Sequence, residues 1–222
     1  MMNLGVVLPE PGYLEAVREI TRRHGIVLIF DEVKSGITTA AGGCVERFGV
    51  VPDMVTLAKA ISGGLPAGAV GGSEEIMAVV APGQVYQVGT YNGNPLCMAA
   101  ARASLEEVMT PAAYARLDHL NDRLMGGIDA VNAAHGLPYY TVGIRSKGCV
   151  TFAAGQITDY GSYLALQDHE LCKLAWAYAF NRGVLIAGNR EAEWTLSIQH
   201  TDDDIDSYLA FYEELIHDVT AV

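Results

Sequence analysis

The chain has 222 residues, 26 of them acidic against 14 basic, and a formal charge of −12. That balance argues against nucleic acid and against anionic membranes, which both select basic surfaces; with 50% of residues hydrophobic and 18% charged, the composition is that of a globular protein. No apolar run reaches the roughly 20 residues a membrane-crossing helix needs, and the opening MMNLGVVLPEPG lacks the basic-then-apolar pattern of a signal peptide.

In chain order, residues 11–24 predict a helix with Leu14, Val17, Ile20 and Thr21 at helical spacing, Pro11 at its start and Gly25 as its stop. The run IVLIFDEV (26–33) is apolar and β-branched until it meets two carboxylates, which predicts a strand buried on both faces of a parallel sheet. Gly42, Gly43 and Gly49 break up a loop. MVTLA (54–58) is a second strand, ending at Lys59 and the SGG turn at 62–64; AGAVGG (67–72) is a third. Ser73 is placed to cap a helix over 73–80, with Glu75 in its first turn. VYQVGTYNGNP (85–95) reads as a loop, followed by helices over about 96–109 and 112–134.

The break His135-Gly136-Leu137-Pro138 predicts a domain boundary, giving domains 1–135 and 136–222. Beyond it, strands are expected near 148–153, 183–187 and 194–199, and helices near 166–182 and 202–218, the last with Asp202 to Asp204 at its positive end. The alternation predicts an α/β large domain, mostly parallel sheet with flanking helices, and a small C-terminal α+β domain. Cys44, Cys97, Cys149 and Cys172 show no CxxC or zinc spacing, so they are read as reduced thiols, which points to the cytoplasm. The histidines never fall at metal-ligand spacing.

Three features carry chemistry. Asp31 and Glu32 stand at a strand end, where open α/β sheets gather ligands; alone, a solvated turn explains them equally well. Lys59 follows an apolar strand directly. Alone, a lysine covering apolar surface with its stem is the stronger reading; held against apolar walls, its amine could instead form a Schiff base. Together with the Gly/Thr/Asn loop GTYNGNP, they meet three needs of pyridoxal phosphate: an anchor for its aldehyde, a carboxylate for its ring nitrogen and donors for its phosphate. Neither GxxxxGK(S/T) nor G-x-G-x-x-G is present.

LIFDEVKSG (28–36), PDMVTLAKAISGGLPAGAVGG (52–72) and GTYNGNPLCMAAA (89–101) resemble, in order, three signature blocks of the class III aminotransferases, with the glutamate-1-semialdehyde aminomutase-like subgroup the most similar pattern. RGVLIAG and SIQHTDDDID, within 182–206, are similar to that subgroup's C-terminal block. The resemblance implies part of a fold type I large domain, a homodimer with shared active sites and a small-molecule amino or keto substrate. It further implies that Lys59 forms the Schiff base with pyridoxal 5′-phosphate, Asp31 binds the pyridinium nitrogen, Val33 packs against the ring from the same side of the strand, and Thr90 reaches the phosphate of the neighbouring subunit. The implied activity is an aminotransferase or aminomutase, in which Lys59 also carries the proton between substrate and cofactor. Racemisation or decarboxylation on the same scaffold, or a truncated non-catalytic fragment, are the alternatives. The chain departs from the family pattern at Lys34 (commonly glutamine), Thr38 (commonly arginine) and Ala192 (a glutamate in the aminomutases), the last flanked by Glu191 and Glu193. Met1 and Met2 resemble internal positions of the family, so the chain is expected to be a C-terminal fragment whose parent supplies a further phosphate loop and a ring-stacking aromatic residue.

Overall fold

The computed structural model describes residues 1–80, 82–188 and 191–221. The chain forms two compact units, one of residues 9–111 and one joining residues 1–8 to 112–222. The division after Pro111 differs from the expected break at 135/136.

The unit of residues 9–111 opens with α1 (Tyr13–Arg23), which ends where Gly25 turns into the left-handed region at φ 64°. Strands β1 (Ile29–Asp31), β2 (Met54–Ala58) and β3 (Gly68–Gly72) form a sheet in that order. β1 pairs parallel to β2 with Asp31 opposite Thr56, whereas β3 pairs antiparallel to β2. The sheet is therefore mixed rather than mostly parallel. Only residues 59–67 link β2 to β3, too few for the helical crossover a parallel return requires. β1 is also not buried on both faces: it stands at the edge of this sheet, and Ile29 is 50% exposed. Two short helices, α2 (Gly36–Thr39) and α3 (Gly43–Phe48), occupy what the sequence reads as loop.

Asp53 fastens the start of β2. It takes two hydrogen bonds from the Arg18 guanidinium, at 2.7 and 3.0 Å, and one from the Leu28 amide at 2.8 Å. Arg18 first, then that amide, hold the Asp53 carboxyl below the usual carboxylate range. The expected cap of α4 (Glu74–Met77) is present, Ser73 accepting from the Ile76 amide. Asn94 caps α5 (Pro95–Ala103) through the Cys97 amide at 3.0 Å, and α5 runs on into a π-helical stretch, Ser104–Val108.

In the other unit, α6 (Pro111–Ala134) buries Leu117, Leu120, Leu124 and Ile128 along one stripe. Asn121 accepts from the Trp194 indole at 2.8 Å, and Asn132 from the Tyr212 hydroxyl at 2.7 Å. These contacts explain why α6 groups with the C-terminal residues. β4 (Tyr140–Ile144), β5 (Lys147–Thr151) and β6 (Glu193–Thr195) form an antiparallel sheet. β4 lies where no strand is expected, and 183–187 is no strand: Gly183, at φ 78°, ends a helix instead. That helix is α8 (His169–Phe180), within the expected 166–182; the separate α7 (Tyr160–Leu166) precedes it where no helix is expected. α9 (Asp202–Thr220) begins with a Thr201/Asp204 capping box beneath the three aspartates and packs Tyr212 within 6.4 Å of Phe152, ring to ring. The four cysteines are free thiols; burial raises Cys149 and Cys172 to about 11.

Gly148 of β5 lies under the Trp194 indole, inside whose van der Waals envelope an added methyl would fall. Gly126 of α6 faces open space. Gly148→Ala is therefore expected to lower unfolding stability by about 1–3 kcal/mol, while Gly126→Ala should be neutral or stabilise by up to about 1 kcal/mol. Urea titrations of the two variants check both signs.

Candidate active site

The parallel β1–β2 pair brings two of the predicted residues to one edge. Asp31 is the last residue of β1, and Lys59 the first after β2, so both stand at the carboxyl ends of neighbouring parallel strands. The Asp31 carboxylate is exposed. Its Oδ1 accepts from the Thr56 hydroxyl at 3.2 Å and the Val33 amide at 3.1 Å. Its Oδ2 has no protein partner among the described residues, which leaves it open to a cationic donor.

Val33 is half-buried and two residues past the end of β1, in a turn. The alternation of a strand therefore does not place it on the face of Asp31. What ties the two together is the Asx-type turn closed by the Val33 amide.

Glu32, adjacent to Asp31, does something else. It is 4% exposed, and its Oε2 accepts from the Cys44 amide in the first turn of α3 at 2.6 Å. Gly43, at φ 65°, leaves room for that carboxylate, which a Cβ would strike. The glycine pair 42–43 was the sequence signal for this contact, readable only once the helix after it is known.

Lys59 is exposed rather than held against apolar walls, and its amine has no partner among the described residues. Its backbone is unusual: φ is 53°, a left-handed conformation rare for a residue with a side chain. It starts a 3-10 turn, Lys59–Ser62, that Gly63 closes at φ 60°. Such a conformation persists only where the surroundings impose it, and outliers of this kind cluster at functional sites.

Thr90 is exposed in a turn closed by the Asn92 amide on the Gly89 carbonyl at 3.0 Å. A Cβ on Gly89 would lie 2.7 Å from the tip of the Asn92 side chain, which would have to shift. Tyr86 and Tyr91 are 84% and 82% exposed, so neither packs in a core of this chain. Thr38 spends its hydroxyl on the Lys34 and Ser35 carbonyls. Ala192, 3% exposed at φ 43°, belongs to the other unit, where its carbonyl accepts from the Val150 amide. An amine and a carboxylate oxygen open to a cation, at the ends of neighbouring strands, can hold a small aldehyde with a protonated ring nitrogen; the turn of Thr90 shares no hydrogen bond with either among the described residues.

Comparison with known proteins follows the same line. The family description "Aminotransferase class-III" matches residues 2–187. A glutamate-1-semialdehyde 2,1-aminomutase 2 of Brevibacillus brevis is 42% identical over 205 residues, 92% of this chain and 48% of that protein. The crystal structure of an omega-transaminase from Sphaerobacter thermophilus superposes with a TM-score of 0.89 at 32% identity, covering 97% of this chain and 49% of that one. A glutamate-1-semialdehyde aminomutase from Pseudomonas aeruginosa PAO1, crystallised in complex with PMP, gives 0.89 at 28% identity over 98% of this chain and 50% of that one. The chain spans about half the length of the curated relatives it matches.

The two adjacent acids should separate on substitution. Glu32→Ala leaves the Cys44 amide unpaired and is expected to cost about 1–3 kcal/mol, whereas Asp31→Asn, at an exposed position, should stay within about 0.5 kcal/mol. Denaturant midpoints of the two variants decide it; equal losses would contradict the division of labour.

Proposed function

This chain belongs to the class-III aminotransferase family, and from that footing we propose that it carries the lysine-bearing half of the active site of a pyridoxal-phosphate enzyme, an aminotransferase or aminomutase. The observation that supports this most is the meeting of Asp31 and a left-handed Lys59 at the carboxyl edge of one parallel strand pair. In this reading the unit of residues 9–111 is part of a fold type I large domain, and the other unit its smaller C-terminal domain. Substrates are small amino and keto compounds. The relative named for aminomutase chemistry and the neighbour named for transamination support the two activities equally. The acidic composition and free thiols are in keeping with a cytoplasmic place, and among the described residues no helix is long and apolar enough to cross a membrane.

The donor set fits the cofactor. Bound pyridoxal phosphate supplies an electron-withdrawing ring that stabilises negative charge at the substrate Cα. Asp31 Oδ2 would accept the ring N–H and, by its charge, would keep that nitrogen protonated. Lys59 Nζ would hold the cofactor through its aldehyde and, when free, would hold and move a proton at the substrate Cα. Val33, beside Asp31 in its turn, covers the ring. The Thr90 hydroxyl donates to the phosphate of the neighbouring subunit, and the exposure of Tyr86, Val88 and Tyr91 around it supports a loop that a second subunit covers. The edge position of β1 and the exposed Ile26, Val27 and Ile29 favour a second reading for this chain alone: binding without turnover, completed by the rest of the parent.

In the full-length parent, borohydride reduction and peptide mapping should find phosphopyridoxyl on Lys59, and Lys59→Ala should abolish both label and nearly all turnover; label on Lys34 or Lys147 would overturn the assignment. Thr90→Val removes one donor to a charged phosphate and is expected to weaken cofactor retention roughly ten- to a hundredfold while sparing the chemistry of bound cofactor. Heterodimers of Lys59→Ala and Thr90→Val subunits contain one site with both groups intact, so that site should retain cofactor like the wild type. Retention no better than in Thr90→Val homodimers would sink the cross-subunit role.

A further inference from the structure

Three buried side chains converge on the carbonyls of the short segment that follows Lys59. Within the turn, the Ser62 hydroxyl donates to the Leu65 carbonyl. From α5, the Cys97 thiol donates to the Pro66 carbonyl at 3.3 Å. From the first residue of the π-helical stretch, the Ser104 hydroxyl donates to the carbonyl of Ala60, the neighbour of Lys59, at 3.4 Å. The exposures of Ser62, Cys97 and Ser104 are 0%, 5% and 7%. The Ser104 bond is long for a hydroxyl donor, so it aims the turn more than it binds it. Ser104 also packs beneath the turn: its Cβ lies 3.8 Å from where a Cβ on Gly63 would stand.

Cys97 and Ser104 are seven residues apart, two helical turns, and so share one face of the element. The widened π turn begins at Ser104, a local departure that recurs at functional sites. Cys97 acts at both ends: its amide takes the Asn94 cap at 3.0 Å, and its thiol reaches Pro66. One helix therefore joins the turn that carries Thr90 to the turn that carries Lys59.

We propose that Cys97 and Ser104 are positioning residues that hold Lys59 in its left-handed conformation and thereby set the approach of its amine to the cofactor aldehyde. This rests on the reading of Lys59 as the cofactor anchor. Without the two donors the segment after Lys59 loses the side-chain hydrogen bonds that reach its carbonyls from outside among the described residues, and the Lys59 turn relaxes toward ordinary backbone angles.

Two readings test this, the first on the 222-residue chain and the second on the full-length parent. Hydrogen exchange reads the Gly63 and Leu65 amides, which bond to the Ala60 and Ser62 carbonyls. Borohydride trapping of added pyridoxal phosphate by the parent reads the rate of attachment at Lys59. Ser104→Ala and Cys97→Val should each speed exchange at those two amides about fivefold, the worth of one modest hydrogen bond, slow trapping at Lys59 by a similar factor and leave the β2–β3 ladder amides unchanged. Ser104→Thr and Cys97→Ser, which keep a donor, should restore both readings. The proposal is overturned if exchange at Gly63 and Leu65 does not move, if the donor-keeping variants behave like the donor-free ones, if the β2–β3 ladder loosens equally, or if exchange moves while trapping at Lys59 does not. A wild-type parent that takes no label at Lys59 overturns instead the assignment of Lys59 as anchor, and the exchange readings still decide whether the two donors hold the turn.

Discussion

The parallel register of β1 on β2 is the constraint from which the candidate site follows. Ile29, Phe30 and Asp31 stand opposite Met54, Val55 and Thr56, and bonds from the Glu32 amide to Thr56 and from the Asp53 and Met54 amides to Leu28 extend the pairing at both ends. A slip of one residue would exchange the two faces of the strand. Asp31 would then lose Thr56, and Glu32 would leave the amide of α3. Two consecutive acids at the end of β1 thus part in role: the Glu32 carboxylate is spent on the amide of α3, and an oxygen of Asp31 stays open. Asp53 holds this register at its start. Because its folded pKa lies below the ordinary value, its contribution is present above the ordinary carboxylate range and is lost as pH falls through the lowered value.

The second constraint is conformational. A strand that ended in an ordinary turn would carry Lys59 on with the course of β2; a φ of 53° turns it abruptly instead. Glycine would accept that angle without strain, but glycine has no amine. The site therefore keeps a side chain where the backbone disfavours one, and the compensation is distributed over glycines at 63 and 64, the fully buried Ser62 and the two donors of the α5 element. The lysine itself gives no hydrogen bond to this arrangement among the described residues, which leaves its amine available.

Much of this was legible in the sequence, and the limits have physical causes. β2 falls at the predicted residues 54–58 because its apolar run is bounded by Asp53 and by the lysine-glycine turn. The cap at Ser73 and the acidic start of α9 at Asp202 to Asp204 are local patterns that tertiary context did not override. β1 is shorter than expected: the sequence reads a strand over eight residues, 26–33, but only three pair, since pairing depends on a neighbour that no local pattern reveals. α2 and α3 are too short to show periodicity, so their glycines read as loop. Motif order singles out Asp31 and Lys59 as candidates but not Cys97 or Ser104, because a small side chain bonding a carbonyl more than thirty residues away leaves no spacing to detect.

Burial is distributed unequally between the two units, and the site lies on the less buried one. Leu120, Ile128, Leu215 and Ile216 are each 0% exposed, a closed core of the kind a self-sufficient domain forms. The site-bearing unit instead leaves apolar surface open in two places, around Ile26, Val27 and Ile29 at the edge strand and around Tyr86, Val88 and Tyr91 in the loop of Thr90. At roughly 25 cal/mol per Å² of apolar surface removed from water, covering both would contribute several kcal/mol to whatever covers them. In the proposed enzyme the first patch falls to the rest of the parent chain and the second to the other subunit. Since Thr90 lies within the second patch, a cofactor whose phosphate it holds would bind the associated form better than the separated one. Linkage then requires the converse: cofactor strengthens subunit association by the same factor by which association strengthens cofactor binding.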